Sequence, residues 1–151
     1  MKSHKMILTT AGIFEQKLLD GSVTGELHKE GPAGKPHYSS THISGLYDHK
    51  PGEPFRLYVS SENREKSDVE AIDFDFKEFL SIGRHEISDT TKIGIVVALR
   101  TGGLWLAKSG FVFLESITPS DYRGRFEVFQ EHNQKGDSVK DGRFIFIFGD
   151  S

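Results

Sequence analysis

The segment Arg143-Phe144-Ile145-Phe146-Ile147-Phe148, near the end of the chain, decides the fold class. Aromatic and β-branched residues favour extended strands, and this run has no polar face to turn toward water. As an exposed edge strand it would pair with other chains and aggregate. We therefore predict that it is a central strand of a sheet, or a strand that is covered at an oligomer interface.

Regular alternation predicts further strands upstream of this segment. Phe55, Leu57 and Val59 fall on one face of an extended stretch, which is typical of a half-buried strand. The stretch from Phe126 to His132 alternates in the same way. Ile93 to Leu99 is a continuous apolar run of the kind found in strands buried on both faces. Strand signals therefore dominate the chain.

Helical spacing is rare by comparison. The stretch from Phe76 to Ile82 has apolar residues at helical spacing and stops at Gly83, so it predicts one or two turns of helix. With about eight to ten short strands separated by turn residues, the chain is predicted to be all-β, or β-rich with one or two short helices. The expected architecture is an antiparallel sandwich or barrel in a single domain spanning residues 1–151.

Glycine-containing turn signals set the predicted strand boundaries. Asp20-Gly21 and Asp141-Gly142 predict hairpins, because Asp-Gly pairs tolerate the positive φ angles of tight turns. Lys108-Ser109-Gly110 separates two apolar runs and predicts a third hairpin. The hairpin at Asp141-Gly142 would bring the returning chain beside Glu131 and His132.

Composition limits the function classes. The chain has no cysteine, so it offers neither a disulfide framework nor a thiolate metal site. Its net charge of -3 gives no overall field that would attract nucleic acid or an anionic membrane. No apolar run approaches roughly 18 residues, and the polar start from Met1 to Ile7 differs from a secretory signal. We expect a cytoplasmic protein without a membrane partner and without nucleic acid as a bulk electrostatic partner.

Polar residues that can hold a metal ion or a phosphate crowd the segment before the final strand. His132 stands where an alternating strand ends, and strand ends are where sites tend to be built. Asn133, Gln134 and Asp137 offer oxygen ligands or hydrogen bonds, and Glu131 adds a carboxylate. The alternative is a polar hairpin loop in which these residues only form the turn.

Arginine, tyrosine and histidine residues elsewhere are further candidates for ligand contacts. Arg123 and Arg125 flank a glycine, an arrangement that can grip a phosphate in a fork or simply form a solvated turn. Arg56 is another candidate phosphate contact, and the Tyr38 ring is a candidate for stacking on a base. His37 is a candidate general base or metal ligand, because imidazole titrates near neutral pH.

Two sets of residues resemble signatures of the bacterial YukJ-like family. Pro36-His37-Tyr38 with the later stretch 55–61 is similar to the first, and His132-Asn133-Gln134-Lys135-Gly136 with Lys140-Asp141-Gly142 is similar to the second. Where the family has a second histidine before the latter signature, this chain has Phe129 or Gln130. The resemblance implies that the two polar signatures line one site. It implies no activity, since the family is itself a domain of unknown function. The residues implied to converge are His37, His132, Asn133, Gln134 and Asp141.

Three functions are compatible with these residues. The favoured hypothesis is a homo-oligomeric ligand-binding β-domain for an anionic small molecule such as a nucleotide, since no recognisable catalytic motif is present. The first alternative is a phosphodiesterase or nuclease that uses His37, His132 and Glu131, for which a divalent metal ion is compatible although the sequence requires no cofactor. The second is a protein-interaction module that pairs through a strand edge. The ligand contacts of the favoured hypothesis are Tyr38, Arg56, Arg123, Arg125, Asn133, Gln134 and Asp141.

Overall fold

Strands make up nearly all of the regular structure. The computed structural model describes residues 4–9, 12–29, 36–48, 56–63, 67–78, 80–87, 92–117 and 121–148. Within these residues the predicted all-β fold is confirmed, with no α-helix. One 3-10 turn, His132–Gln134, joins the last two strands. The strands are β1 (His4–Thr9), β2 (Gly12–His28), β3 (His37–Ser40), β4 (His42–Asp48), β5 (Arg56–Glu62), β6 (Val69–Phe76), β7 (Gly83–Glu86), β8 (Ile93–Leu99), β9 (Leu104–Leu106), β10 (Ser109–Ile117), β11 (Asp121–Glu131) and β12 (Lys135–Phe148).

The strands form two antiparallel sheets that are not closed into a barrel, which confirms the sandwich. The first sheet has the order β1-β2-β4-β5-β6-β8-β9, and the second has the order β7-β10-β11-β12-β2-β3. The long strand β2 belongs to both sheets. Its residues up to Leu18 pair with β1 and β4, whereas its residues from Leu19 onward pair with β12 and β3.

Phenylalanine rings from both sheets meet in the middle of the sandwich. Phe74 of β6 is fully buried, and its ring centroid lies 5.2 Å from that of Phe126 on β11. The rings of Phe144 and Phe146 on β12 lie 5.5 and 5.3 Å from the same Phe74 ring. Because side chains alternate between the two faces of a strand, the residues between these phenylalanines point outward. The core therefore fixes which side chains reach the outer faces of the sheets.

The last strand occupies the middle of the second sheet, as its lack of a polar face predicted. Strand β12 pairs with β11 on one side and with β2 on the other. Phe144 and Phe146 are buried, while Ile147 on the opposite face is 37% exposed. Strand β12 thus has a paired neighbour on each side, with the pairing interrupted near Asp141.

The predicted hairpin at Asp20-Gly21 is wrong, because β2 continues through it. Gly21 lies opposite Phe146 of β12, in the middle of an unbroken register. It has a φ of 137°, and a Cβ added there would lie 1.7 Å from the carbonyl oxygen of Ile145. Glycine is needed here because two strand backbones approach closely near the point where β2 passes between the sheets.

The predicted hairpin at Asp141-Gly142 is also wrong, because the dipeptide lies inside β12 at a bulge. Gly142 pairs with Phe126 and Val139 pairs with Val128, so Lys140 and Asp141 together stand opposite the single residue Glu127. Asp141 has a φ of 53°. A bulge can require the same positive φ as a tight turn. The Asp-Gly pair therefore correctly predicted a residue with positive φ, but that residue lies in a bulge and not in a hairpin turn.

Two other local predictions also fail. Strand β9 pairs with β8 in the first sheet, whereas β10 pairs with β7 and β11 in the second, so the chain crosses between the sheets just before Lys108 and forms no hairpin at Lys108-Ser109-Gly110. The predicted helix from Phe76 to Ile82 is absent from the described residues, since Phe76 ends β6 with its ring fully buried. Phe55 and the Arg56 side chain lie outside what the structure describes. No described helix is long and apolar enough to span a membrane.

Candidate functional site

Cations cover aromatic rings across the outer face of the second sheet. The Arg84 guanidinium on β7 lies 4.1 Å from the ring centroid of Phe111 on β10. Arg125 on β11 lies 5.0 Å from the ring centroid of the neighbouring Phe113. Such contacts contribute about 0.5–1 kcal/mol each at exposed sites.

Arg125 and Arg143 lie directly opposite each other on β11 and β12. Like charges in this cross-strand position repel, because the Cβ atoms of such a pair are only about 5 Å apart. Arg125 has one partly compensating contact, with its Nε 3.4 Å from Glu115 Oε1. For Arg143, no ion pair is found within the described part of the chain. This arginine pair therefore carries positive charge that its surroundings only partly neutralise.

Other arginines on the same face are neutralised. Arg123 donates from its Nε to Asp121 Oδ2 at 2.8 Å, and Arg84 donates from its Nε to Glu86. Arg123 is thus placed near Arg125 as the sequence predicted, but its charge is already paired. Arg143 has no such partner among the described residues, and Arg125 keeps only its longer contact with Glu115, whereas Lys140 lies 5.8 Å from the Phe129 ring centroid on the same face. We take Arg125 and Arg143 as the candidate anion contacts because they face each other directly across the two strands.

A depression of about 250 Å³ lies beside the arginine pair. Gly142 leaves room for the buried Phe126 ring, because a Cβ at that position would lie 2.6 Å from it. The bulge in β12 places Asp141 opposite Glu127, so the depression combines two cationic and two acidic side chains near the Phe111 ring. Its lining residues are Phe111, Arg125, Phe126, Glu127, Asp141, Gly142 and Arg143.

The predicted polar cluster at His132–Gln134 lies at the end of the β11–β12 hairpin, and its side chains are exposed. Asn133 and Gln134 adopt φ angles of 59° and 60°, as the chain reverses direction. Ser109 fastens the turn, since its Oγ donates to the Glu131 carbonyl at 2.7 Å and accepts from the Gln134 amide at 3.0 Å. These contacts support the alternative prediction, in which the polar residues of this segment form a hairpin turn.

Strand register separates this turn from Asp141. Glu131 lies opposite Lys135, whereas Phe126 lies opposite Gly142. The positions from 126 to 131 correspond to about 17 Å along a strand, at about 3.4 Å per residue. The predicted approach of Glu131 or His132 to Asp141 was therefore wrong, because it depended on a hairpin at Asp141-Gly142. Among the predicted site residues, the depression contains Arg125 and Asp141 only.

The predicted residues of β3 divide between surface and core. His37 is exposed, and its Nδ1 lies 2.6 Å from Glu26 Oε1 on the adjacent strand β2. Tyr38 is fully buried, and its hydroxyl lies 2.8 Å from Ser61 Oγ. Burial raises the pKa of the Tyr38 hydroxyl, with the hydrogen bond to Ser61 opposing the rise. A ring in this position cannot stack on a ligand at the surface, so the prediction that Tyr38 contacts the ligand is wrong.

A second depression, of about 250 Å³, lies on the outer face of the first sheet and is lined by His42, Ile43, Ser44, Ser60 and Glu62. Beside it, Ser60 and Tyr58 both donate hydrogen bonds to Asp73, at 2.8 and 3.1 Å. Burial and the neighbouring Asp73 charge raise the pKa of Tyr58 to about 12. Within the described ranges, no group of three or more His, Cys, Asp or Glu side chains is arranged to hold a metal ion.

Comparison with known proteins finds no matching family model, curated protein or solved structure. The resemblance to the YukJ-like family therefore stays a prediction. In the structure, His37 lies on β3 at the edge of the second sheet, and His132 lies at the hairpin end. The bulge that holds Asp141 is far along the ladder from His132, but it lies two strands from His37, because Lys140 pairs with Glu26 and Glu26 pairs with His37. The residues that the resemblance groups together are therefore only partly brought together.

Sequence reasoning missed five of the seven lining residues, namely Phe111, Phe126, Glu127, Gly142 and Arg143. Glu127 and Arg125 are two positions apart on a strand, so a common face for them follows from alternation. Arg143 and Phe111 carry no such signal, because their proximity to Arg125 depends on the pairing of β10, β11 and β12. Predicting this pairing would have required placing the start of β12 before Asp141, at Lys135.

Proposed function

We propose that the protein is a binding domain for an anionic small molecule, such as a nucleotide, on the outer face of its second sheet. The observation that carries the proposal is the cross-strand pair of Arg125 and Arg143 beside an open depression. Guanidinium groups bind phosphate and carboxylate oxygens through two parallel hydrogen bonds. An anion between the two side chains would turn their repulsion into attraction.

The expected affinity is modest. Hydrogen bonds to charged groups contribute about 1.5–3 kcal/mol each, and part of this gain is offset by the ordering of exposed arginine side chains. A net binding free energy of about -5 to -7 kcal/mol corresponds to a Kd on the order of 10–200 μM. Salt should weaken the binding, because the site is open to solvent.

An aromatic surface next to the anion site favours a ligand with a planar group. Phe111 lines the depression, and Arg84 lies over its ring. Planar bases stack on exposed guanidinium planes as well as on aromatic rings. The depression of about 250 Å³ is smaller than the usual range of about 300–1,000 Å³ for small-molecule sites. A nucleotide would therefore occupy it with one part and lie over the sheet with the other.

The hydrolase alternative has less support. Its candidate residues His37 and His132 lie on different parts of the second sheet. General acid–base catalysis requires the acid and the base to reach the same substrate within hydrogen-bond distance. The register therefore disfavours a joint role for these two histidines.

The protein-interaction alternative, including a homo-oligomer, has one supporting observation. The edge strand β9 presents Leu104 and Leu106, which are 69% and 39% exposed. An exposed edge can accept a strand from a second copy of the chain. Light scattering of the wild type and of Leu104→Lys tests this: a dimer that the substitution disrupts supports the alternative, and a monomeric wild type rejects it.

A titration followed by nuclear magnetic resonance tests the proposed ligand site. Nucleoside monophosphates and inorganic phosphate would be added to the wild type and to the Arg143→Gln and Arg123→Gln variants. Arg123 is the matched control, because it lies on the same face but already pairs with Asp121. We expect Arg143→Gln to weaken nucleotide binding about tenfold or more, which equals about 1.4 kcal/mol. Arg123→Gln should change it less than about twofold.

Two outcomes would count against the proposal. The first is that no nucleotide binds to the wild type at millimolar concentration. The second is that both arginine variants bind equally well, since the arginine pair would then have no special role. Mass spectrometry of the recovered nucleotide separates binding from hydrolysis, because a binding domain returns the ligand unchanged.

A further inference from the structure

We propose that Asp141 selects a guanine base at this site, an inference that rests on the proposed function. The depression holds two acidic side chains, Asp141 and Glu127, beside the arginine pair. A purely anionic ligand would be repelled by these carboxylates. The site therefore fits a ligand that presents negative charge to the arginines and hydrogen-bond donors to a carboxylate.

The bulge in β12 is what brings Asp141 into the site. In a regular strand, one residue of β12 would face Glu127, but here both Lys140 and Asp141 do. Bulges commonly re-aim a side chain next to a functional site. The φ of 53° at Asp141 is a conformation that aspartate and asparagine tolerate better than most residues. The backbone thus accommodates this side chain at low cost.

The carboxylate of Asp141 is available to a ligand. It is exposed and lines the same depression as Arg125 and Arg143. Yet among the described residues, no ion pair joins it to either arginine. An ionised carboxylate is an acceptor with about four lone-pair sites, so it can accept two hydrogen bonds from one planar group.

Guanine is the nucleobase whose pairing edge matches a carboxylate. Its ring N1–H and its 2-amino group are neighbouring donors that can reach the two oxygens in parallel. Adenine and cytosine each place a ring acceptor beside their amino group, and uracil places carbonyl acceptors on both sides of its N–H. With those bases, an acceptor would face the carboxylate, and unpaired or repelling polar groups reduce affinity.

The expected discrimination is limited by exposure. A buried site that hydrogen-bonds a donor on its ligand binds an analogue without that donor far more weakly, because the polar groups of the site are then left unpaired. In this open depression, water can replace a missing partner. We therefore expect guanosine monophosphate to bind about tenfold more tightly than adenosine monophosphate, with inosine monophosphate between them because it lacks the 2-amino group.

The test measures binding of these three nucleotides to the wild type, Asp141→Asn, Glu127→Gln and Arg143→Gln by equilibrium dialysis. Asparagine keeps the size of the side chain and tolerates the positive φ. We expect Asp141→Asn to weaken guanosine monophosphate about tenfold and to leave adenosine monophosphate within about twofold. Glu127→Gln should retain the guanine preference, and Arg143→Gln should weaken all three nucleotides.

The outcomes separate this inference from the proposed function. Equal binding of guanine and adenine nucleotides, with both lost in Arg143→Gln, overturns the role of Asp141 and leaves the arginine site standing. Loss of the guanine preference in Glu127→Gln, with Asp141→Asn unchanged, also overturns it. If no nucleotide binds to the wild type, both proposals fail.

Discussion

Replacing Arg143 with glutamine is predicted to stabilise the ligand-free protein. Arg125 and Arg143 face each other directly on β11 and β12. Two unit charges about 6 Å apart in water repel by about 0.7 kcal/mol, in line with the scale of about 0.2–1 kcal/mol for cross-strand pairs. Glutamine removes the charge and keeps much of the side chain. The contact of Arg125 with Glu115 and the nearby carboxylates of Glu127 and Asp141 offset part of this repulsion, so we expect the free energy of unfolding to rise by at most about 0.5 kcal/mol.

Denaturation at low and high salt measures this effect. A gain of about 0.5 kcal/mol raises the Tm of a domain of this size by about 1–2 °C. The Debye length falls from about 30 Å at 0.01 M salt to about 3 Å at 1 M, so the difference between the variant and the wild type should disappear in 1 M salt. Arg123→Gln is the control. Because that arginine pairs with Asp121, its replacement should not stabilise the protein.

Two results would refute the predicted repulsion. If Arg143→Gln destabilises the protein in low salt, the arginine pair does not carry the uncompensated charge that the structure indicates. If the variant is more stable but salt does not change the difference, its origin is not electrostatic. Either result would also remove the physical basis for the anion site, since that basis is the repulsion within the pair.

Further predictions concern the buried and half-buried parts of the sandwich. Burial and the Asp73 charge raise the pKa of Tyr58 from 10.0 to about 12 on folding. The neutral hydroxyl therefore stabilises the fold below about pH 10, and this contribution is lost as the pH rises toward 12. Denaturation at a series of pH values should show a steeper loss for the wild type than for Tyr58→Phe. Tyr38→Phe removes the buried hydrogen bond to Ser61 and should cost about 1–2 kcal/mol in urea denaturation, whereas an unchanged midpoint would show that this bond is not stabilising. Gly21→Ala places a Cβ against the Ile145 carbonyl oxygen and should cost about 3 kcal/mol or more, so a variant with wild-type Tm would contradict the close approach of the strands.

Alternation of side chains predicted the fold class because it is a local property of a strand. The all-apolar run ending at Phe148 identified a central strand, and the alternation from Phe126 onward identified part of β11, which ends at Glu131. The division of β2 between two sheets carried no such signal. It depends on where the partners β4 and β12 lie, which is set by packing over the whole sandwich.

Candidate site residues were harder to predict, because the type of a residue does not show which face of the sheet its side chain lies on or which residue of the next strand lies beside it. Tyr38 looked like a stacking surface, but its strand turns it into the core, where Ser61 satisfies its hydroxyl. His132 looked like a ligand, but its segment forms the β11–β12 turn. Arg125 was predicted as a contact because it and Arg123 flank a glycine, whereas its cross-strand partner Arg143 was revealed only by the register of two strands.

The Asp141-Gly142 bulge shows why the local backbone geometry was predicted correctly while the position of Asp141 was not. An Asp-Gly pair signals a positive φ, and both a hairpin and a bulge meet that demand. The hairpin would have placed Asp141 near His132, whereas the bulge places it opposite Glu127 and two residues before Arg143. An extra residue interrupts the ladder of a central strand, which is where a sheet gains most from unbroken pairing. Because the bulge brings the Asp141 carboxylate to the depression beside Arg143, the nucleotide comparison with Asp141→Asn tests directly whether that carboxylate is used at the surface.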